Sequence, residues 1–547
     1  MTVHPSDVLQ GYRIGSRQAV VELQQAEYPA IHIDFKVLGL IHDIQQRPGQ
    51  AVILTGTAGD GKTYLAYQLA EHLGLDKAVV LKAQHLGGYD QDGVYIDLDL
   101  SAGALTDERV RRLHTVLTTP GRLTLVCANE GKLNELIERF TPSTIPPRVI
   151  VINLSRRAII SPEAWNQVLQ GVLNGRLWQT PLQANELVAW NRNSLQDPQI
   201  AERVRRYLLL PYLLGEPITV RETLSFLAYA LGSGLSAAQS SRISPGLRIR
   251  HLLFNTLFSE PEGYEHGGRA TPSEKLLYWL YRFDPADQAS PEIDLKLLVE
   301  LDQLDVVPPP DLLEMWRNDL LVRGNEQTDT EYRARLARYM RYARRWYALA
   351  SDIGFVAYFP FRHFADYLTA LHAPHDDTDE QVGIIIRGLN VLLSGGREDD
   401  QYALKVFYLL TEGTRQRAAI YSNTTVDASD FSLETDMMVD TTADMTGDAY
   451  LERLPRRLYL QYVPDPNLQL PVSLLLYEVL MGAASPSGGF PATLWARERD
   501  SVVRFMSALN GTVRSRSAVA QFTLLLDNGK QLKLNHATKT NKVSVGS

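Results

Sequence analysis

One cysteine, Cys127, is all that 547 residues carry. That excludes a disulfide framework and any zinc site built on several cysteines, and it fits a reducing cytosol. Long apolar runs are missing as well. None approaches the roughly 20 residues of a membrane span. The opening MTVHPSDVLQGYRIGSRQ has no apolar signal core, so no secretory leader is expected. A cytoplasmic protein with no membrane partner is the expectation. An excess of positive charge is lacking too: the formal net charge is −8, with a pI near 5.9. The whole chain therefore does not advertise nucleic-acid binding, although local basicity counts for more than the sum.

What the chain does have is length and apolar content. Hydrophobic residues make up 45%, ample for a core. At roughly 100–200 residues per domain the chain should hold about three or four domains. Residues 1–48 read as helix with linkers and carry no motif. From about 49 to 160, AVILTG, KAVVLKA, GVYIDLDL, RLTLVCAN and RVIVINL read as nearly continuous apolar strands. Strands buried on both faces of a parallel sheet look like this. YLAYQLAEHL and DERVRRLHTVL have helical spacing between them, which is βαβ alternation. The expected fold is thus an α/β P-loop NTPase (AAA-like) core. A helical lid (161–250) and a helical domain (251–424) follow. An acidic loop (425–448) leads to a small α+β C-terminal domain (449–547).

The acidic loop is read from composition: residues 425–448 carry seven acids and no Lys or Arg. In the last part, RLYLQYV reads as a strand, and FTLLLDNGKQLKLNH as a hairpin turning at Asp527-Asn528-Gly529.

The sharpest motif is Gly56-Thr57-Ala58-Gly59-Asp60-Gly61-Lys62-Thr63, a full GxxxxGK[ST] between a strand and a helix that continues with Tyr64. Glycines let backbone N–H groups wrap phosphates, and a helix N-terminus adds partial positive charge. Lys62 should reach the β- and γ-phosphates of ATP, and Thr63 should ligate Mg²⁺. Hydrolysis also needs a metal-holding acid on a neighbouring strand. Asp97 and Asp99, two residues apart, should share one strand face, and either can serve. Neither is followed by Glu, so rapid turnover lacks an evident base; Glu130 is one substitute. Asn129 ends the next strand, where it can reach the γ-phosphate or the attacking water, or simply form a turn. Arg221, in ITVRETLSFLAYALGSG, is placed to fold a lid onto the nucleotide, or to face solvent from its helix. Arg139 and Arg148 flank the connection into the last strand, where an inter-subunit arginine finger of a homo-oligomer would lie.

Other clusters read more blandly. His372, His375, Asp376 and Asp377 suit a solvated acidic loop better than a metal site. Asp284 with Asp294-x-Lys296 faintly suggests a nuclease core, but IDLKLLVEL reads as helix, so the chain is not expected to be a nuclease. In EYRARLARYMRYARRWYALA, Arg333, Arg335, Arg338, Arg341, Arg344 and Arg345 interleave with Tyr and Trp. That suits DNA contact through helix 331–346, or an amphipathic helix with buried rings. From Phe505 onward six basic residues stand against one acid, which makes the C-terminal tail a second candidate surface.

With these pieces placed, the chain resembles the DptF family, the DndF component of bacterial DNA phosphorothioation-dependent restriction. LTGTAGDGKTYL, IDLDLSAG, LVCANEGKLNELIERF, RFDPADQASPEIDL and LLYEVLMG carry the resemblance, in that order. It implies an ATPase subunit of an anti-phage complex, with partners of the DndG and DndH kind, acting on DNA that lacks the sulfur mark. The residues it carries over are Gly56, Gly59, Gly61, Lys62 and Thr63, with Asp99 and Asn129. The alternative is a nucleotide-gated signalling or scaffold protein with little ATP turnover.

Overall fold

A computed structural model describes residues 4–12, 31–33, 35–40, 51–84, 87–140, 144–183, 186–258, 272–316, 328–372, 378–408, 418–439, 445–485, 492–514, 520–526, 530–537 and 542–545. Two compact units divide the chain. The first comprises Met1–Tyr212, Glu216–Pro360 and Ala443–Leu454; the second holds Leu213–Gly215, Phe361–Thr442 and Pro455–Ser547.

In the first unit, β1 (Ala51–Thr55), β2 (Tyr89–Gln91), β3 (Val94–Asp97), β4 (Leu123–Cys127) and β5 (Val149–Asn153) form one sheet in the order β2-β3-β4-β1-β5. All pairings are parallel except the edge pair β2–β3. β1 lies between β4 and β5, and every one of its residues is buried. An uninterrupted apolar run is what a central parallel strand requires. Helix α1 (Pro5–Gln10) precedes the sheet, and α2 (Lys62–His72) follows β1. Next come α3 (Lys77–Gln84), α4 (Asp107–Thr118) between β3 and β4, and α5 (Glu130–Glu138) between β4 and β5. Val110, Leu113 and Leu117 of α4 and Leu133 and Leu136 of α5 join Ala51, Ile53 and Val126 in one core.

One expected strand is a helix. KAVVLKA forms α3, whose Asp76 carboxylate accepts from Ala78 N at 2.8 Å. Val80 is buried while Val79 is 46% exposed. A strand covered on both faces would hide both.

After the sheet the first unit is helical: α6 (Pro162–Asn174), α7 (Leu187–Gln196), α8 (Pro198–Leu213) and α9 (Val220–Gly232). Then follow α10 (Pro272–Arg282), α11 (Pro291–Val299), α12 (Pro310–Trp316), α13 (Asp329–Ala350) and α14 (Asp352–Tyr358). Asp294 and Lys296 lie on α11, so the strand that nuclease chemistry needs is not there.

A late segment completes this unit. Gly447 lies against β5 so closely that a Cβ there would sit 2.2 Å from Val151 O. Glu452 accepts from Lys36 N at 2.7 Å through its carboxylate and from Ala158 N at 2.6 Å through its backbone carbonyl. Arg156 and Arg453 both reach Asp448.

The second unit holds two antiparallel sheets. β8 (Phe431–Thr435), β9 (Leu458–Tyr462) and β10 (Gln469–Val472) form one; β6 (Ala403–Tyr408), β7 (Ala418–Asp427), β11 (Ala520–Leu526), β12 (Gln531–Ala537) and β13 (Lys542–Val545) form the other. Helices α15 (Phe364–His372), α16 (Asp379–Ser394), α17 (Leu474–Ala484) and α18 (Ala492–Arg514) accompany them. The expected strand RLYLQYV is β9. The expected hairpin pairs as β11–β12, and its Asp527–Gly529 turn lies outside the described residues. The acidic stretch 425–448 is corrected: the end of β7, a short 3-10 turn and all of β8 occupy its first half. Phe431 and Leu433 are buried in β8, while Ser432 and Glu434 alternate outward. Charge on one face of a half-solvated strand is ordinary, so acid content alone was a poor sign of a loop. Strand β6 and most of β7 also lie inside the span expected to be all helical. Among the described residues no helix is long and apolar enough to cross a membrane.

Candidate functional site

A cleft of about 420 Å³ opens at the carboxyl ends of β1, β3 and β4, the edge of an α/β sheet where ligands gather. Its floor is the glycine-rich loop. Gly56, Gly59 and Gly61 have φ of +139°, +100° and +90°, a region closed to most side chains. At Gly56 a Cβ would stand 2.6 Å from the Asp60 carboxylate; at Gly59 it would meet Arg221 Cβ at 3.1 Å.

Asp60 holds the loop from within. It is buried, and it accepts from Thr57 N (2.5 Å) and Thr57 Oγ1 (3.0 Å). Behind it, Arg157 donates to Asp60 O at 2.6 Å and lies 4.0 Å over the Phe35 ring. Lys62 Nζ crosses the loop to donate to Gly56 O (2.9 Å) and Thr57 O (2.7 Å). Burial pulls its pKa down, and the neighbouring carboxylates of Asp60 and Asp99 push the other way. Gly61 precedes α2 with no side-chain cap, so the first N–H groups of that helix are left to other partners. Ala58, Thr63 and Tyr64 also line the cleft.

The two strand-end acids part company. β3 ends at Asp97, so Asp99 does not share its face. Asp97 is fully buried and accepts from Gln84 Nε2 (3.0 Å), Asp99 N (3.1 Å) and Arg109 Nη2 (2.9 Å). Its acceptor capacity is committed to holding the strand end. Asp99 is exposed, lines the cleft, and caps a 3-10 turn by accepting from Ser101 N at 2.8 Å. The expectation that one face carries both acids is therefore replaced: Asp97 is architectural and Asp99 faces the cleft.

Asn129 ends as a helix cap at the edge of the cleft. Its Oδ1 caps α5 by accepting from Lys132 N (2.7 Å), and its Nδ2 donates to Ser101 Oγ (2.8 Å) at the cleft wall. Glu130 instead accepts from Asn153 Nδ2 (2.8 Å) and Ser155 Oγ (3.3 Å). Opposite, Thr219 and Glu222 form a capping box at the start of α9. This fixes Arg221, whose backbone N–H donates to Gly59 O at 3.1 Å. Arg221 lines the cleft, and its buried Nε has no hydrogen-bond partner among the described residues.

Residues 31–33 and 35 supply a wall that carries no motif. Ile31, Ile33 and Phe35 line the cleft, with Val220 and Leu224 of α9. Ile33 N donates to Tyr64 Oη (3.1 Å), which also bonds His32 Nδ1 (3.0 Å). The Ile-His-Ile-Asp-Phe alternation was the available signal.

The remaining candidates fall elsewhere. Arg139 bonds Leu105 O and Asp107, and Arg148 bonds Thr119 O and Arg122 O, so both are engaged within their own chain. His372 bonds Leu368 O of its own helix, while His375, Asp376 and Asp377 lie outside the described residues. Among the described residues no group of three or more His, Cys, Asp or Glu is arranged to hold a metal. On α13 the rings of Tyr339, Tyr342, Trp346 and Tyr347 are buried, so they pack the core. In the basic C-terminal tail Lys530 and Lys533 are exposed, and Arg516 and Lys539 lie outside the described residues. The chain matches no protein-family model, no curated protein and no solved structure.

Proposed function

We propose that the cleft binds ATP with Mg²⁺ and that the protein is a P-loop ATPase of the AAA-like kind. The observation that carries this reading is the loop itself. Three positive-φ glycines and the Lys62 ammonium encircle the uncapped start of α2, at the carboxyl end of a central parallel strand. Backbone N–H groups, Lys62 and the helix terminus form an anion cradle. Ile31, Ile33, Phe35, Val220 and Leu224 give a flat base an apolar slot. Thr63 and Asp99 are the two side chains that would hold Mg²⁺, because this ion is held through few protein oxygens plus the phosphates it neutralises. When bound, the metal would polarise the phosphate oxygens. Lys62 would exchange its bonds to Gly56 O and Thr57 O for phosphate, Asn129 would orient water or the terminal phosphate, and Arg221 would draw α9 onto the nucleotide.

The wider role rests on the resemblance to the DptF family. On that basis the protein serves a bacterial anti-phage restriction complex, with DndG-like and DndH-like companions, on DNA lacking phosphorothioate. The decisive experiment is nucleotide binding followed by calorimetry for the wild type and Lys62→Ala, with hydrolysis measured with and without DNA. Lys62→Ala is expected to stay folded while losing both ATP binding and restriction of phage. A variant that still restricts refutes the reading.

One observation favours slow turnover. Among the described residues, Asp99 is the single carboxylate lining the cleft, and Glu130 is engaged with Asn153 and Ser155. A nucleotide-gated switch that binds ATP tightly and hydrolyses it slowly fits this composition. Steady-state turnover with DNA separates switch from motor.

A further inference from the structure

The first unit contains a second concavity, far larger, of about 880 Å³, between α13, α10 and the turn at Arg250. Among the described residues its lining includes Arg250, Arg338, Arg341, Arg344 and Arg345, and no Asp or Glu. In a chain of net charge −8, so one-signed a lining calls for an explanation.

Two of the five arginines belong to the scaffold. Arg345, 5% exposed, grips the fully buried Asp284 from Nε (2.9 Å) and Nη2 (2.5 Å), and also donates to Asn255 Oδ1 and Phe258 O. Arg344 is bidentate to Asp294 at 2.8 Å and donates to Ala286 O. The other three are differently placed. Arg341 is 47% exposed and stands 3.9 Å from Asp284 and 3.7 Å from Asp287, long contacts for ion pairs. Arg250 and Arg338 are exposed, and neither has an acid within ion-pair distance among the described residues.

We infer that this cleft binds the phosphodiester backbone of a nucleic-acid strand, through Arg250, Arg338 and Arg341. Arg338 and Arg341 stand at i and i+3 on one face of α13, about 4.5 Å apart along its axis, and Arg250 lines the same cleft, so three guanidinium groups are available to the phosphates of one strand. The buried Arg345–Asp284 pair and the partly buried Arg344–Asp294 pair fix the floor and leave the outer guanidinium groups to reach ligand. Guanidinium forks suit phosphate oxygens bidentately. Tyr281 and Tyr342 also line the cleft, but Tyr342 is only 8% exposed, and Tyr339, Trp346 and Tyr347 pack the core, so the contact is mainly to backbone and binding should depend little on sequence.

The test is fluorescence anisotropy of a labelled single strand across a salt series, with wild type, the pair Arg338→Gln with Arg341→Gln, and Arg250→Gln. Three cations on a single strand give a log–log salt slope of about −2. The double variant should lower affinity at least about tenfold and bring the slope to about −0.7. All these positions are exposed, and unchanged ATP binding in the variants reports an intact first unit. Lys530→Gln with Lys533→Gln is the comparison on the other basic surface. An unaltered slope in the cleft variants, loss of binding only in the Lys530/Lys533 variant, or binding of free mononucleotides with none of the strand would each overturn the assignment. The site stands apart from the ATP reading: Lys62→Ala should keep its strand affinity in the absence of ATP.

Discussion

Removing either strand-end acid should give opposite phenotypes. The Asp97 side chain is fully buried and the Arg109 side chain it meets is only 15% exposed. Asp97→Ala also orphans the Asp99 amide and leaves Gln84 Nε2 with Asp99 O (3.0 Å) as its remaining acceptor. Removing one partner of a buried ion pair costs about 3–5 kcal/mol; Arg109 keeps some access to water, which favours the lower figure. Asp99→Ala loses one exposed capping bond to Ser101 N, worth about 0.5–1 kcal/mol. For nucleotide the order reverses. Asp99→Ala should weaken ATP binding in Mg²⁺ by about 10- to 100-fold and leave binding in chelator unchanged. Hydrogen exchange of the β3 and β4 amides is the right stability readout, because a chain with two compact units need not unfold in one step. Asp97→Ala should accelerate exchange there; Asp99→Ala should not. The reasoning fails if Asp97→Ala keeps its protection yet loses the Mg²⁺ dependence, or if Asp99→Ala binds Mg·ATP like the wild type.

Three further outcomes are expected. Arg221→Ala, which removes a cleft guanidinium whose Nε has no hydrogen-bond partner among the described residues, should lower affinity for ATP more than for ADP, about tenfold or more for a lost charge-assisted contact, with the melting curve unchanged; calorimetry with both nucleotides checks this. Gly388→Ala should destabilise the second unit by about 1–3 kcal/mol, because the new Cβ would stand 2.8 Å from Leu480 Cβ and O where α16 crosses α17; urea titration with exchange in α17 reads it. Burial raises the pKa of Glu478, which accepts from His363 N at 2.6 Å. A raised carboxyl favours the folded state while protonated, a contribution complete below the ordinary carboxylate pKa and lost as pH rises through the raised value. Stability of the second unit measured from mild acid to neutral should therefore fall more steeply in the wild type than in Glu478→Gln.

Four of the five sheet strands of the first unit were legible because a central parallel strand has one compositional solution, an apolar β-branched run. KAVVLKA shares that composition over a short stretch, and only burial of one face, Val80 in and Val79 out, tells it apart. The glycine-rich loop was legible because glycine at 56, 59 and 61 is a backbone requirement, written directly in residue type. The role of Asp97 was not legible. Its partners Gln84 and Arg109 come from elements 13 and 12 residues away, and the period-2 argument presumed a strand that in fact stops at Asp97. The arginines of α13 show the same limit: spacing reveals a stripe, but only tertiary partners separate Arg344 and Arg345 from Arg338 and Arg341.

The docking of Gly447, Asp448 and Glu452 onto the first unit has a consequence for the order of assembly. Lys36 and Glu452 are 416 residues apart in sequence, so the wall beside Phe35 and Arg157 closes only after most of the chain exists. At about 5–20 residues per second a ribosome takes roughly 20 to 80 s to cover that interval. Throughout it the nascent sheet carries β5 uncovered at Val151 and the Arg157 guanidinium without Glu452 nearby. Support behind the cleft at Lys36 and Arg157 is thus added late, although the glycine-rich loop is among the first parts to be made.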